Sequence, residues 1–397
     1  MDRVVIVGGS LAGVNAAEAL REHGFEGDLT LISAEESLPY DRPPLSKQML
    51  LTDMAPEQLL LKESDWYEKN GLDVVLGNPA RGLDPIAQRV ALSDGTEREY
   101  DGLVLATGSA VRELSVVHGE PRLHVLHSMD DAIRLRAEFA PGKHLVLVGG
   151  GFIGLEVAAA ARWQGLDVTV IARGPAPLSR VFVGDIGRWY QGLHERNGVN
   201  VRCGSALEAI EWGINGAVVT LTNGSVINAD IVVAGVGSTP AVEWLANSGV
   251  EITNGLACTP DLMTSVPNVV AAGDIVSWRN PIFDEEMRVE HWTNAIDQGR
   301  HAAATLLGNR DPFASVPYFW TDQFDTKMRF VGRTTGADHT NIETLSDDKL
   351  VATFGRDGVV IGAVCIGAPR QLAKYKVAIQ NRTPWDEAVE ASLIAAR

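Results

Sequence analysis

The chain has 397 residues, 45% hydrophobic and 21% charged, a composition that fits a globular protein of two or three domains. Its 51 acidic and 34 basic residues leave a formal charge of −17, the wrong sign for a nucleic-acid binder, which needs clustered Lys and Arg. No apolar run reaches the ~18–20 residues of a membrane span, and the N-terminus enters a strand-like run without a basic segment or cleavage site. A cytoplasmic protein without membrane association is expected. Cys203, Cys258 and Cys365 lie far apart with no C-x-x-C, so neither a metal site nor an adjacent dithiol is expected, and each reads as a small buried hydrophobe.

Residues 4–7 (VVIV) form a continuous apolar run, as in a strand buried on both faces. Gly8-Gly9-Ser10-Leu11-Ala12-Gly13 then turns the chain into a helix expected to reach about Gly24, and residues 29–32 supply the next strand. This βαβ unit can hold a pyrophosphate on its helix amides, although Ser10 takes the place of the middle glycine in G-x-G-x-x-G. Pro43-Pro44 rigidifies a turn, and Ser46 is placed to cap a following helix. A hairpin follows around Ser93-Asp94-Gly95, then an apolar strand, residues 103–106, ending at Gly108.

The pattern returns at residues 145–148, with Gly149-Gly150-Gly151-Phe152-Ile153-Gly154, a helix to about Gln164, a stop at Gly165 and a strand at 168–171. A second hairpin turns at Thr222-Asn223-Gly224, and the strand 231–236 ends at Gly237. Each half reads as βαβ, hairpin, strand, glycine. Residues 268–274 (NVVAAGD) then form a strand ending in Gly273-Asp274, whose carboxylate could accept a hydroxyl or cap a helix. From Tyr318 the aromatic content rises and short strands follow. The fold expected is α/β: two Rossmann-like dinucleotide-binding domains, residues 1–108 with 240–317 and residues 109–239, plus a C-terminal α+β domain, residues 318–397. Two dinucleotide sites suggest a flavin beside a nicotinamide nucleotide.

With LPYDRPPLSK at 38–47, LATGS at 105–109, GGGFIGLE at 149–156, AAGD at 271–274, VEHWTNAIDQGRHAA from Val289 and VPYFWTDQF from Val316, the chain resembles FAD-dependent NAD(P)H:ferredoxin reductases. These include the putidaredoxin, rhodocoxin and rubredoxin reductases, the oxygenase-coupled branch of the pyridine nucleotide-disulfide oxidoreductase superfamily, which is glutathione-reductase-like in fold. The resemblance implies FAD pyrophosphate at Gly8, Gly9, Ser10, Leu11, Ala12 and Gly13, with adenosine ribose at Glu35. It puts the flavin or its phosphates at Arg42 and Lys47, and further FAD contacts at Ala80, Ala106, Thr107, Gly108 and Gly273. The ribityl chain falls to Asp274 and the ring region to Trp292 and Trp320, with Glu290, His291 and Ala295 as further cofactor contacts. Glu35 also reads as a solvated turn residue and Trp320 as a core aromatic. His127 stands where the family carries an Arg, so one flavin-phosphate contact is in question.

The nicotinamide nucleotide is expected at Gly149, Gly151, Phe152, Ile153, Gly154, Ala172, Arg173, Arg180, Gly235, Val236 and Gly237. The resemblance implies a catalytic Lys47–Glu156 pair; independently, Glu156 sits in a first helical turn, where the dipole stabilises its charge. Ala172 replaces the acid that binds NAD ribose, with Arg173 adjacent, which favours NADPH over NADH. Residues 42–47 hold no C-x4-C, so the chemistry is expected to end at the flavin, fed by hydride and drained by single electrons to a [2Fe–2S] ferredoxin serving a cytochrome P450 or Rieske oxygenase. An acidic ferredoxin would need a local basic face, for which Arg300, Lys327, Arg329, Arg333, Arg370, Lys374, Lys376 and Arg382 are candidates. An oxidase or quinone or radical reductase, or a redox-sensing interaction module, would use the same folds. A monomer or weak dimer is expected.

Overall fold

The computed structural model describes residues 1–389 apart from 118, 183, 347 and 369–371. Strand Arg3–Val7 lies at the centre of a five-stranded parallel sheet, ordered Val269–Ala271, Gly102–Leu105, Arg3–Val7, Asp28–Ile32, Leu72–Val75. A second sheet, ordered Val199–Cys203, Asp167–Ala172, His144–Val148, Ile231–Ala234, Leu123–His124, repeats the plan. The registers match pair for pair: Val4 faces Leu29 and Gly102, and Leu145 faces Val168 and Ile231. Continuous apolar runs form these strands because helices and hairpins cover both faces.

The repeat extends to single hydrogen bonds. The amide of Gly8 donates to the Ile32 carbonyl and that of Gly149 to the Ile171 carbonyl, both at 2.8 Å. Ala106 donates to Val7 and Gly235 to Val148, again at 2.8 Å. Helices Leu11–Glu22 and Phe152–Trp163 stop two residues before Gly24 and Gly165, slightly short of the ends read from sequence. Each hairpin gains a strand that the pattern did not reveal, Ala80–Asp84 in the first half and Leu207–Gly213 in the second. Both carry few alternating apolar residues and are bulged, which erases the period-two signal.

Strand Val269–Ala271 returns from late in the chain to pair with Gly102–Leu105, and helix Trp292–Leu306 packs on Leu11–Glu22. The contact is tight: a Cβ on Gly299 would lie 2.4 Å from the Ala12 carbonyl oxygen. The last part is a five-stranded antiparallel sheet, ordered Tyr318–Gln323, Thr326–Gly332, Val359–Ile366, Lys349–Arg356, His339–Ser346, with helix Leu372–Gln380 lying on it. Along strand Tyr318–Gln323 the two-residue period sends Thr321 and Gln323 to one buried face, shared with Phe319, and Tyr318 and Trp320 to the other. Among the described residues no helix is long and apolar enough to cross a membrane, and no cluster of three or more His, Cys, Asp or Glu could hold a metal.

A partly buried charge triad clasps this sheet to the hairpin that follows the late strand. Glu285 pairs with Arg333 and Arg356, each at 2.9 Å. Truncating Glu285 leaves two guanidiniums facing each other, and at this intermediate burial the loss is about 2 kcal/mol. Glu285→Ala is therefore expected to lower the midpoint of chemical denaturation. Glu97 serves as the control, because its pair with Arg89 at 3.3 Å is exposed on both sides. Glu97→Ala should change stability by less than about 0.5 kcal/mol.

Candidate functional site

A cavity of ≈ 520 Å³ opens at the carboxyl ends of the first sheet's strands and runs to the second helix and the C-terminal strand. One end is a backbone cradle. Gly8 has φ +127° and a Cβ there would meet the Ala106 oxygen at 2.0 Å, so only glycine fits. Gly149 repeats this, with φ +126° and the Gly235 oxygen at 2.1 Å from the same imagined Cβ. Ser10 is explained by its counterpart. A Cβ added to Gly151 would meet nothing within 4 Å, so the middle position of the turn tolerates a side chain. Ser10 and Gly151 are the N-caps; the Ser10 hydroxyl does not cap its helix and Gly151 has no side chain to do so, which leaves the first-turn amides available.

The cavity brings together Gly8, Gly9, Ser10, Leu11, Ala12, Glu35, Arg42, Lys47, Ala80, Ala106, Thr107, Gly108, Gly273, Asp274, Glu290, His291, Trp292, Ala295 and Trp320. Gly13 does not line it; it is buried under the turn, where a Cβ would strike the Gly8 oxygen at 2.0 Å. From the second unit, Phe152, Ile153 and Glu156 reach this cavity. Gly149, Gly151, Gly154, Ala172, Arg173, Arg180, Gly235, Val236 and Gly237 lie outside it, around the second glycine turn. There Gly150 approaches Ala172 so closely that a Cβ would come within 2.9 Å, and Arg173 and Arg180 are exposed with no ion pair among the described residues.

At one end Glu35 accepts from Arg42 Nη2 at 2.6 Å and from the Tyr40 hydroxyl, so it is not a merely solvated turn residue. Arg42 also donates to the His127 carbonyl, and burial holds the His127 imidazole below its ordinary pKa, with Arg42 adding to the effect. Near the middle, Asp274 is not a helix cap: it accepts from Ser109 Oγ at 3.3 Å and precedes a strand, Val276–Asn280. Burial, then Glu290, raises its pKa to about 6. Trp292 Nε1 donates to Asp41 at 2.6 Å and its ring meets Trp320 edge-on at 5.8 Å, with Tyr318 stacked behind at 5.9 Å. Trp320 is thus a cavity wall rather than core.

At the far end Lys47 Nζ lies 2.8 Å from Glu156 Oε2, their side chains 14% and 5% exposed. Ser46, read from sequence as a helix cap, instead donates its hydroxyl to Glu156; the short helix Gln48–Leu51 has no side-chain cap. Thr321 Oγ1 donates to Glu156 Oε1 at 2.5 Å. Ser46 and Thr321 were invisible as site residues because their partner is 110 and 165 positions away. No cysteine lines the cavity, and burial raises all three thiols, Cys258 and Cys365 to about 12.

Of the basic residues considered for docking, Arg329 pairs with Asp322 at 2.8 Å, Arg333 with Glu285, and Arg300 with Glu18 and Glu22. Arg382 donates to the Ile282 carbonyl, and Lys374 lies over the Tyr375 ring. Arg370 lies outside the described residues. Lys327 and Lys376 remain exposed.

The residues fit an extended dinucleotide. The glycine cradle and first-turn amides suit a pyrophosphate, and the middle of the cavity holds a carboxylate for hydroxyls. The aromatic end suits a flat ring, and the buried nitrogens His291 Nδ1 and Trp244 Nε1, both on lining residues, have no protein partner among the described residues. Two such units side by side define a dinucleotide-dependent oxidoreductase. The model of the family described as pyridine nucleotide-disulphide oxidoreductase matches residues 2–299, and one described as reductase C-terminal matches residues 318–392. The chain belongs to the pyridine nucleotide-disulphide oxidoreductase family. It is 37% identical over 370 residues to rhodocoxin reductase of Rhodococcus erythropolis, covering 92% of this chain and 87% of that one. With the ferredoxin–NAD(+) reductase component of the anthranilate 1,2-dioxygenase system of Burkholderia cepacia it shares 35% over 375 residues, 94% and 92% of the two chains. The fold superposes on the reductase in a covalent putidaredoxin reductase–putidaredoxin complex with a TM-score of 0.93 at 32% identity, covering 96% and 94% of the two chains.

The Asp274 value gives a pH prediction. Its folded pKa is raised, so the folded state holds a proton the unfolded chain has lost, and stability falls as pH rises from the ordinary Asp range through about 6. Asp274→Asn removes that loss. In ligand-free protein it should gain about 3 kcal/mol over the unsubstituted chain at pH 7.5 and well under about 1 kcal/mol at pH 4, as read by denaturation at the two pH values.

Proposed function

We propose that this chain is an FAD-dependent ferredoxin–NAD(P)+ reductase that supplies a cytochrome P450 or Rieske-type oxygenase through a [2Fe–2S] ferredoxin, in the cytoplasm. The observation that carries the reading is a flavin-sized cavity whose reacting end is a Lys47–Glu156 pair, bounded by tryptophans and free of thiols. The relatives that bear names as reductases of ferredoxin-type proteins match along nearly the whole chain, including the C-terminal sheet. The reading divides the chain into an FAD-binding domain of residues 1–108 and 240–317, a nucleotide domain of 109–239 and a C-terminal domain.

When bound, the isoalloxazine takes a hydride from the nicotinamide and gives electrons up singly. The protein's part is placement. The Gly8–Gly9 turn and the free amides of Leu11 and Ala12 receive the pyrophosphate, and Asp274 accepts from the ribityl hydroxyls. Lys47 spends two of its three N–H donors on Glu156 and the Pro43 carbonyl at 3.3 Å, leaving one for the ring. Trp292 and Trp320 cover that end and keep water out. With no reactive thiol at the cavity, nothing in the protein competes for the electrons.

The purified protein should be yellow, and stopped-flow mixing with reduced nucleotide should bleach it before a [2Fe–2S] ferredoxin reoxidises it. A colourless protein that refuses FAD, or turnover with oxygen or quinone equal to that with every ferredoxin tried, overturns the reading. Lys47→Ala should slow flavin reduction at least about tenfold, the loss of one charged contact of ~1.4 kcal/mol at the ring. Lys327→Glu with Lys376→Glu should raise the ferredoxin KM and leave ferricyanide turnover unchanged.

For the nucleotide, Ala172 offers no charge against a 2′-phosphate, and the Arg173 and Arg180 guanidiniums are not committed to carboxylates among the described residues. NADPH is therefore the expected donor. Its kcat/KM should exceed that of NADH, and Arg173→Ala should reduce the NADPH value while sparing that for NADH.

A further inference from the structure

The Glu156 carboxylate is the last acceptor of a buried hydrogen-bond chain that leaves the cavity altogether. Thr321 Oγ1 donates to Glu156 at 2.5 Å, Gln323 Nε2 donates to Thr321 Oγ1 at 3.1 Å, and Gln323 Oε1 lies 2.9 Å from His194 Nε2. Thr321 and His194 are 0% exposed and Gln323 is 1%. Helix Asp185–Arg196 carries His194, and edge strand Tyr318–Gln323 carries the other two.

The chain has one direction when the carboxylate is ionised. An ionised carboxylate only accepts, so Thr321 must donate to it. The Thr321 oxygen then accepts from the Gln323 amide nitrogen, which turns the amide oxygen to His194. That oxygen needs a donor, so the neutral imidazole carries its proton on Nε2. Burial lowers the His194 pKa to about 4, keeping the ring neutral, and its Nδ1 is a buried acceptor with no partner among the described residues. A Glu156 protonated on Oε1 would donate to Thr321 and require every link to reverse, including a rotation of the Gln323 amide and a buried N–H on Nδ1 without an acceptor; the chain thus closes Oε1 to a proton and leaves only Oε2, where Lys47 and Ser46 already bond. An orphaned buried donor costs free energy.

We propose that His194 and Gln323 are positioning residues that act through Thr321 to hold Glu156 ionised beside Lys47. This rests on the reading of Lys47 and Glu156 as the reacting end of the site. The other groups facing Glu156 are Ser46 and Lys47 from the segment after the first unit, and the buried Tyr190 hydroxyl, which makes no hydrogen bond among the described residues, from the helix of His194. Asp322 and Arg329, paired with each other, act on Tyr190 from the C-terminal sheet. The positive end of helix Phe152–Trp163 adds to the donors. Those contributions do not pass through Thr321, so a double-substitution cycle separates the chain from them.

The test is infrared difference spectroscopy of the purified holoprotein across pH, following the carboxyl stretching band that Glu156→Gln abolishes. Thr321→Val should move the pH of half-protonation upward by about one unit, the loss of one charge-assisted bond. His194→Phe and Gln323→Met should move it upward by less. Adding either to Thr321→Val should produce no further shift. The proposal is overturned if His194→Phe and Gln323→Met leave the band unmoved in the Thr321 protein, or if their shifts persist in full on the Thr321→Val background. Thermal melting shows that each variant is folded, and two variants at different links guard against one that is not. The band also reports on protein stripped of FAD, so a protein that fails to bind flavin would sink the functional reading without deciding the chain.

Discussion

Glu156 accepts from Ser46, Lys47 and Thr321, donors that come from the segment after the first βαβ unit and from the edge of the C-terminal sheet, while Glu156 itself belongs to the second unit. A carboxylate buried this deeply is stable only with paired charge and filled acceptor sites. The three parts of the chain must therefore close on it together. If the C-terminal sheet slid by one residue, the two-residue strand period would replace Thr321 by Trp320 or Asp322 and leave the carboxylate short of a donor. The same closure puts Phe319 against Phe152 at 4.5 Å, beside Glu156 at that end of the cavity. Packing and electrostatics thus impose one relative placement of the C-terminal sheet.

The remaining arginines explain how a chain of charge −17 holds its parts together. Several guanidiniums that look like a docking face in the sequence are clasps within the chain: Arg333 binds Glu285, which Arg356 also holds, Arg300 binds the first helix through Glu18 and Glu22, and Arg329 is neutralised by Asp322. A paired, partly buried guanidinium contributes little long-range field. Of the basic residues considered for docking, Lys327 and Lys376 stay exposed.

Much of this was legible because it is local. The paired glycine turns, the hairpin signals at Asp94-Gly95 and Asn223-Gly224 and the buried strands are each written in a few adjacent residues. The registers then follow from repetition. Ser10 looked like a defect in the first turn, and only the open space around Gly151 shows that the position has room. The illegible part is long-range. Ser46 resembles a helix cap in sequence, and nothing near it says that a carboxylate 110 residues later is its acceptor. Thr321, Gln323 and His194 are ordinary residues until the C-terminal edge strand lands on helix Asp185–Arg196. The strands Ala80–Asp84 and Leu207–Gly213 were hidden for another reason: bulges break the alternation on which a strand is recognised.

The two units keep the same backbone and diverge in what surrounds it. Around the first turn, walls come from residues near 33–47, 79–80, 106–109, 272–274, 290–295 and 319–320, so a ligand there is enclosed by segments spread over the whole chain. Around the second turn Ala172, Pro177 and Gly235 approach the glycines, while Gly151, Arg173 and Arg180 stay exposed. Release of a ligand from the first site requires breaking contacts with many separately anchored segments, and the second turn, with Gly151, Arg173 and Arg180 exposed, is the more open of the two. Among sites of similar chemistry, affinity differences reside mostly in the dissociation rate. The architecture therefore favours a dinucleotide retained through many turnovers at the first turn and one exchanged each cycle at the second, which is the division of labour that a hydride-to-electron converter needs.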